Sequence, residues 1–474
     1  MSEQLHWDPE LIQRYNRSGP RYTSYPTAVE FKVVESDQVE RDLLSQRDEN
    51  VPLSLYLHIP FCAHVCYYCG CNKIVTKDRS KSEPYLDLLK AEIDRKAELL
   101  QGNPIVQQMH WGGGTPTFLS DDQMSELMDH LRNRFNFSTD DSADYSIEID
   151  PREVRPNTLK LLREIGFNRT SFGVQDLNEK VQQAVNRIQP ESMIRKVMVE
   201  ARELGFRSIN IDLIYGLPHQ TQETFAETLD VIIDMSPDRL SVFNYAHLPE
   251  RFKPQRRIKE EDLPSPEEKL AILGNCITTL TEVGYHYVGM DHFAKPDDEL
   301  SRAQAAKELH RNFQGYTTHG DCDLIGFGVS SISQISDCYL QNNPDINAYE
   351  DAINNNQFPV VKLITTDTDD LIRRQVIMEL LCHDQMIFAE LDSAFSIDSQ
   401  SYFADELSQL TPMVEDELLE ISEEGIHITE KGRLLVRNAC MVFDTYLNSN
   451  IIQTYSASAD ASTPVNRPRF SKAI

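Results

Sequence analysis

Four of the chain's nine cysteines fall within ten residues, Cys62-Ala-His-Val-Cys66-Tyr-Tyr-Cys69-Gly-Cys71. The first three have C-x3-C-x2-C spacing, unlike the paired C-x2-C units that close a tetrahedral zinc site. Three thiolates so spaced can hold three irons of a 4Fe–4S cluster and leave the fourth iron open to a chelating ligand. Structural zinc, with His58 or His64 as fourth ligand, is the alternative. Cys276, Cys322, Cys338, Cys382 and Cys440 lack ligand spacing and read as small core residues or loop thiols. Further along, Trp111-Gly112-Gly113-Gly114-Thr115-Pro116-Thr117 offers backbone that can approach a ligand without Cβ interference, or else simply a tight turn. Glu148, Gln175, Arg187 and Asp212 are polar groups whose positions repeat relative to apolar runs, which puts them at one end of successive elements.

Those elements are short β-rich runs alternating with longer helical ones. Strands are expected at 53–58, 105–111, 144–149, 169–174, 208–214 and 239–245, with helices at 82–100, 121–135, 191–205 and 221–235. Strand–helix alternation means βαβ units and a parallel sheet. Six units in this length suit a partial (β/α)6 barrel, with a doubly wound sheet as the alternative. The cysteines, the glycine run and the polar residues then lie at the C-terminal ends of strands, where barrel enzymes build their sites. Period-two alternation sets Glu148 on the face opposite Ile147 and Ile149.

The expected organisation is an N-terminal arm over 1–50, a catalytic barrel over 51–290 and a loop-rich connection over 291–365 that completes the site. A mostly helical domain over 366–447 and a mobile tail over 448–474 follow. Residues 18–28, SGPRYTSYPTA, read as an ordered non-helical arm. A helix is expected at 369–382, and two short strands around Glu423-Glu424-Gly425 followed by a helix resemble a winged-helix element. Six acids and no base in 415–424 argue against a DNA role for that hairpin.

The formal charge of −29 argues against non-specific nucleic-acid binding, which depends on Lys and Arg contacts to phosphate. No basic-then-apolar leader opens the sequence, and no run approaches a membrane span. Scattered cysteines in odd number fit a reducing cytoplasm. The expectation is a cytoplasmic chain with neither nucleic acid nor membrane as partner.

The cysteine motif after a first barrel strand, with an aromatic before the third cysteine, resembles the radical S-adenosylmethionine (SAM) enzymes. The fourth cysteine, Cys71, together with GPRYTSYPTA, HWGGGTPT, EIDPRE, FGVQD, NIDLIYGLP, SVFNYAHLP and GMDHFA, resembles a narrower family, the oxygen-independent coproporphyrinogen III oxidases. The resemblance runs from about residue 15 to 447. It implies one 4Fe–4S cluster on Cys62, Cys66 and Cys69, and SAM as co-substrate. Tyr56, Gly113, Glu148 and Ile332 would line a first SAM. Tyr68, Gly114, Thr115, Gln175, Arg187, Asp212 and Ala246 would line a second. Cys71 and Arg21 would serve the reaction itself, in which the propionates on rings A and B of coproporphyrinogen III become vinyls and protoporphyrinogen IX results.

An acidic chain must gather bases locally for a substrate with four propionates. Arg21 and the run Arg251, Lys253, Arg256, Arg257 and Lys259 are candidates, the latter equally a solvated surface. Lys73, Lys77 and Lys81 could dock an acidic electron donor such as flavodoxin or ferredoxin, and the chain is expected to be a monomer. Haem-binding chaperones related to the same superfamily are the main rival. They lack the fourth cysteine and carry HNxxYW, where this chain has Cys71 and reads His310-Arg311-Asn312-Phe313-Gln314-Gly315-Tyr316. A radical SAM methyltransferase and a zinc-stabilised winged-helix regulator are further rivals.

Overall fold

The computed structural model describes residues 5, 7–15 and 17–447, so the expected tail lies outside the described residues. Two compact units interleave along the chain. One takes 32–276 and 321–365, the other the described parts of 1–31, 277–320 and 366–447. The five consecutive segments expected from the sequence therefore give way to a discontinuous division. The reason is strand pairing, because the segment after residue 320 returns to the edge of the first barrel strand.

In the larger unit six parallel strands follow one another in chain order: β1 (Leu53–Ile59), β2 (Ile105–Gly113), β3 (Asp144–Ile149), β4 (Arg169–Gln175), β5 (Ser208–Tyr215) and β6 (Arg239–Asn244). This is the expected partial barrel. Helices α1 (Ser82–Leu99), α2 (Asp121–Arg134), α3 (Glu191–Glu203) and α4 (Gln222–Met235) lie between strands. Capping boxes start two of them, Ser120 with Gln123 for α2 and Thr221 with Thr224 for α4.

Strand alternation divides the sheet's faces. Leu55, Leu57, Met109, Trp111, Ile147, Phe172, Ile209, Ile211 and Leu213 are buried on one face, with almost no exposure. Tyr56, His110, Ser146, Glu148, Ser171, Asn210 and Asp212 alternate with them and occupy the other.

The stretch expected to be loop-rich carries strands. β7 (Asp323–Phe327) pairs in parallel with β1, and β8 (Ile332–Ile335), β9 (Cys338–Asn342) and β10 (Val360–Thr365) follow as an antiparallel meander. Lys32–Val33 closes this edge against β10. The N-terminal arm also carries two helices that the sequence reading did not expect, Pro9–Tyr15 and Gln38–Gln46.

One fully buried ion cluster ties Gln38–Gln46 to α1. Lys96 Nζ lies 2.8 Å from Glu40 Oε1 and 2.9 Å from Glu92 Oε1, and it donates to Gly326 O at 2.8 Å. Glu92 also accepts from Tyr349 Oη at 2.7 Å, Gly328 N at 2.8 Å and Asn342 Nδ2 at 2.8 Å.

In the other unit, a helix (Thr368–His383) precedes a three-stranded sheet. Gln385–Ile387 pairs with Gly425–Ile428, which pairs with Leu419–Ile421. The hairpin and the following helix, Val436–Val442, lie where the sequence puts them, and the third strand is additional. A core of Ile372, Val376, Leu380, Leu419, Ile426 and Cys440 holds this unit.

Removing one partner of a buried ion cluster leaves uncompensated charge, which typically costs ~3–5 kcal/mol. Lys96→Met should therefore destabilise the protein by about that amount in urea unfolding. A change below about 1 kcal/mol would show that the cluster does not hold Gln38–Gln46 to α1.

Candidate active site at the C-terminal ends of the strands

Directly after β1 the chain runs through Pro60 and Phe61 into the cysteine loop. Its two ends are tied together by Ile74 N to Pro60 O at 2.6 Å and Thr76 N to Cys62 O at 2.9 Å. Neighbouring segments hold its middle. Tyr67 N donates to Val185 O at 3.0 Å, Asn186 Nδ2 to Val65 O at 2.7 Å, and Gln255 Nε2 to Tyr68 O at 2.8 Å.

The glycine run lies along this loop. Gly114 N donates to Ile59 O and Thr115 N to Phe61 O, both at 2.8 Å. A Cβ on Gly114 would come within 2.7 Å of the Pro60 carbonyl carbon. Gly113 adopts φ +108°, and a Cβ there would meet the His58 ring at 2.6 Å. The glycines are thus required by close backbone approach, beyond the needs of a turn.

A cavity of about 240 Å³ opens beside both loops. Its wall brings together Cys62, Cys66, Cys69, Cys71, Tyr68, Gly113, Gly114, Thr115, Glu148, Gln175, Arg187 and Asp212. Tyr56, Ile332 and Ala246 are outside this wall. Tyr56 stacks on His110, ring centroids 6.0 Å apart, and its hydroxyl meets His58 Nδ1 at 3.1 Å. Ile332 begins β8, and the Ala246 carbonyl accepts from Gln255 Nε2 at 3.2 Å. Arg21 belongs to the other unit, where it pairs with Asp291.

Each of the three spaced sulfurs accepts a hydrogen bond. Thr115 Oγ1 reaches Cys62 Sγ at 3.6 Å, Arg152 Nη2 and Arg187 Nη1 reach Cys66 Sγ at 3.4 Å each, and Cys71 N reaches Cys69 Sγ at 3.4 Å. The thiol of Cys71 and the ammonium of Lys73 outweigh burial and bring Cys69 down to about 5, whereas burial above all pushes Cys62 up to about 12. Among the described residues no three His, Cys, Asp or Glu are gathered to hold a single metal ion. The thiols instead line the cavity wall.

Asp150 organises the two arginines. It takes Arg152 Nη2 at 2.6 Å and Arg187 Nη1 at 3.1 Å. Burial raises its carboxyl, but the two guanidiniums prevail and hold it at about 2. Arg152 was not singled out in the sequence. Its place in EIDPRE, two residues beyond Asp150 at the end of β3, was the available signal.

Glu148 reaches the cavity with its side chain 46% exposed. Its Oε2 accepts from Gly113 N at 3.2 Å, and its Oε1 lies 3.3 Å from His110 Nε2. Partial desolvation in the cavity raises this carboxyl, but His110 and the Gly113 amide outweigh it and hold it below its ordinary value. His110 Nδ1 meets Ser146 Oγ at 2.8 Å, so the ring is held from both sides. His110, also missed, lies on the same strand face as Gly112, a relation that period-two counting exposes.

Two buried polar atoms of wall residues, Gln175 Oε1 and Arg187 Nε, have no hydrogen-bond partner among the described residues. Gln175 is held at φ +72°, a conformation a non-glycine residue adopts at a cost. Three thiols with donors, close glycine backbone and unpartnered polar atoms on one wall fit a cluster and a polar co-substrate. The basic run at 251–259 is largely engaged in local structure. Arg257 stacks over Tyr67 at 5.1 Å, Arg256 Nε caps Pro249 O at 3.0 Å, and Lys259 pairs with Glu261 at 3.6 Å.

The fold and this loop define a class, the Radical SAM superfamily, whose description matches residues 56–232; the HemN C-terminal domain matches 367–435. The chain is 52% identical to the oxygen-independent coproporphyrinogen III oxidase of Pseudomonas aeruginosa over 476 aligned positions, covering 100% of both chains. It is also 52% identical to the Escherichia coli enzyme of that name, over 94% of this chain and 96% of that one. The solved structure of coproporphyrinogen III oxidase (HemN) from Escherichia coli, described as a radical SAM enzyme, superposes with a TM-score of 0.89 at 50% identity. It covers 94% of this chain and 100% of its own. The chain belongs to the oxygen-independent coproporphyrinogen III oxidase family. Membership brings a 4Fe–4S cluster and SAM. No helix among the described residues is long and apolar enough to cross a membrane.

Burial first, then the charge of Glu148, raises the Asp212 carboxyl to about 6. The folded protein then holds this proton more tightly than the unfolded chain, whose Asp titrates near ~3.9. Asp212 therefore supports stability fully below about pH 4, and that support is lost as pH rises through about 6. In urea unfolding of the ligand-free protein, Asp212→Asn should flatten stability against pH in this window by about 2–3 kcal/mol. An unchanged slope would place the raised proton affinity elsewhere.

Proposed function

We infer that the chain is an oxygen-independent coproporphyrinogen III oxidase. It converts the propionates on rings A and B of coproporphyrinogen III to vinyls and so yields protoporphyrinogen IX. Each conversion removes one CO2, one hydrogen atom and one electron, and uses one SAM if cleavage is irreversible. The observation that carries this reading is the cysteine loop, with its three hydrogen-bonded sulfurs set against the Gly113–Thr115 backbone, in a chain 52% identical to enzymes of that name.

Cys62, Cys66 and Cys69 hold the cluster in this proposal. When bound, cluster and SAM together supply the 5′-deoxyadenosyl radical that takes the hydrogen atom. Gly113 and Glu148 bind the first SAM, along with Tyr56 and Ile332. Tyr68, Gly114, Thr115, Gln175, Arg187, Asp212 and Ala246 bind a second. The unpartnered Gln175 Oε1 and Arg187 Nε support that second assignment, because buried polar atoms ordinarily have partners. Cys71, outside the three-thiol spacing, serves the reaction without holding iron, and Arg21 serves the substrate. A monomer in a reducing cytoplasm, with flavodoxin or ferredoxin as donor near Lys73, Lys77 and Lys81, completes the reading. The haem-binding chaperone has no support among the full-length relatives named above.

The test is anaerobic reconstitution with iron and sulfide, then turnover with SAM, a reductant, an electron acceptor and coproporphyrinogen III. Divinyl product should form with two CO2 per porphyrinogen. Haem binding without decarboxylation, or a methylated product, would overturn the assignment.

Cys62→Ser, Cys66→Ser and Cys69→Ser should each abolish the broad visible absorption of the reconstituted protein. Cys71→Ser should keep its iron and lose most activity. Equal iron loss in all four variants would point to a four-thiolate site.

Glu148→Ala should retain iron while SAM affinity falls roughly 10- to 150-fold, the loss of a charge-assisted hydrogen bond of ~1.5–3 kcal/mol. Calorimetry showing unchanged SAM affinity would make Glu148 a structural partner of His110 only.

A further inference from the structure

A sulfur that carries cluster charge responds to the donors aimed at it, and most strongly where burial limits screening by solvent. Of Cys62, Cys66 and Cys69, Cys66 is the buried one, 7% exposed. Two guanidiniums converge on its sulfur, Arg152 Nη2 and Arg187 Nη1, each at 3.4 Å. Cys62 Sγ has the neutral hydroxyl of Thr115 as its donor.

The two arginines differ in what they hold in reserve. Arg187 lies in the cavity wall, and its Nε has no hydrogen-bond partner among the described residues. Arg152 is outside that wall, and each of its guanidinium nitrogens is engaged. Its Nε reaches Asp150 Oδ1 at 3.0 Å and Oδ2 at 3.2 Å, and its Nη1 donates to Asn186 O at 3.5 Å. Its Nη2 divides between Asp150 Oδ2 at 2.6 Å and Cys66 Sγ. The backbone N–H of Arg152 also donates to Asp150 Oδ1, at 3.0 Å, so one carboxylate fixes both main chain and fork. An arginine held in this way has no nitrogen left over for a ligand in the cavity. It meets the cysteine motif at a sulfur. All of these residues belong to the unit of 32–276 and 321–365.

We propose that Arg152 is a positioning residue for the iron–sulfur centre: braced by Asp150, it holds a charge-assisted hydrogen bond on the Cys66 thiolate and so eases uptake of the one electron that precedes SAM cleavage. This rests on the function proposed above. Adding an electron makes the thiolate-bound centre more negative, and a cation 3.4 Å from one of its sulfurs offsets that charge. No bond forms or breaks in this step, and Arg152 keeps its protons. The electron comes from a one-electron donor of the flavodoxin or ferredoxin kind. Without Arg152 the same electron is harder to add, and the midpoint potential moves down.

The test uses full-length Arg152→Met and Arg152→Lys, with Arg155→Met as control, all reconstituted anaerobically with iron and sulfide. Arg155 pairs with Asp121 at 2.6 Å and donates to Thr117 O at 3.0 Å and Leu119 O at 2.8 Å. The midpoint is read by electron paramagnetic resonance in a redox titration without SAM, and SAM affinity by equilibrium dialysis. Arg152→Met should lower the equilibrium constant for one-electron uptake about tenfold, a midpoint ~59 mV more negative. Arg152→Lys keeps the charge and loses the fork, so its midpoint should fall between those of the parent and the Met variant. Arg155→Met should keep the parent midpoint, and SAM affinity should be unchanged throughout. An unchanged or more positive midpoint in Arg152→Met, an equal shift in Arg155→Met, a Lys variant no closer to the parent than the Met variant, or weakened SAM binding would each overturn the proposal. Loss of iron from both Arg152 variants would also overturn it, because Arg152 would then shape the loop. Should Arg152→Met alone lose iron, the midpoint of Arg152→Lys decides on the same terms. A parent protein that takes up no cluster would remove the proposed function itself. A parent that loads its cluster and converts coproporphyrinogen III, with Arg152→Met at the same midpoint, would remove only this role.

Discussion

Everything at the active site depends on which face of six parallel strands carries the polar residues. Each strand alternates, with apolar side chains buried on one face and Tyr56, His110, Ser146, Glu148, Ser171, Asn210 and Asp212 on the other. A slip of one residue would exchange the two sets, so burial of Leu57, Trp111, Ile147 and Ile211 fixes the polar face as firmly as the apolar one. Much of that polar face satisfies itself. Ser171 Oγ donates to Asp212 Oδ2 at 2.9 Å, Asn210 Nδ2 to Asp212 Oδ1 at 2.8 Å, and Ser241 Oγ to Asn210 Oδ1 at 3.2 Å. At the strand ends this completeness stops, and Gln175 Oε1 and Arg187 Nε are left over. The transition from paired to unpaired groups marks where scaffold ends and binding surface begins.

The cysteine loop could not hold its shape alone, since it has little regular structure. It is fixed by backbone contacts from the glycine run on one side and by Val185, Asn186 and Gln255 on the other. The same neighbours bring donors to the sulfurs. Arg152 and Arg187 both reach Cys66 Sγ, and Asp150 holds both arginines in place. Hydrogen bonds and net charge at the sulfurs are the means by which a protein tunes an iron–sulfur cluster. Asp150, directly after β3, therefore sets the charge around the Cys66 sulfur through two other residues.

The six strands and four helices were legible because each is long and periodic. The cysteines, Glu148, Gln175 and Asp212 could be singled out because they lie in or directly after those strands. Other parts were hidden for physical reasons. β7 to β10 are short, and their pairing with β1 joins residues far apart in sequence, so local pattern gives no sign of it. Helix Gln38–Gln46 depends on the tertiary contact of Glu40 with Lys96. Arg152 looked like one charge among many until its distance to Cys66 was known.

A chain of net charge −29 must be selective about where it buries positive charge, and its inward-facing cations differ in how far they are compensated. Lys96 sits between two carboxylates and also donates to a carbonyl, which is the pattern of a group that binds elements together. Arg152 and Arg187 share one carboxylate, each also reaches the Cys66 sulfur, and a further donor of each goes to a carbonyl, of Asn186 and Gly173 respectively, which leaves positive charge at the cysteine loop. The less a buried cation is compensated by its own protein, the less its presence can be attributed to stability. Between these two cases the role passes from holding elements together to setting the charge around a cysteine sulfur.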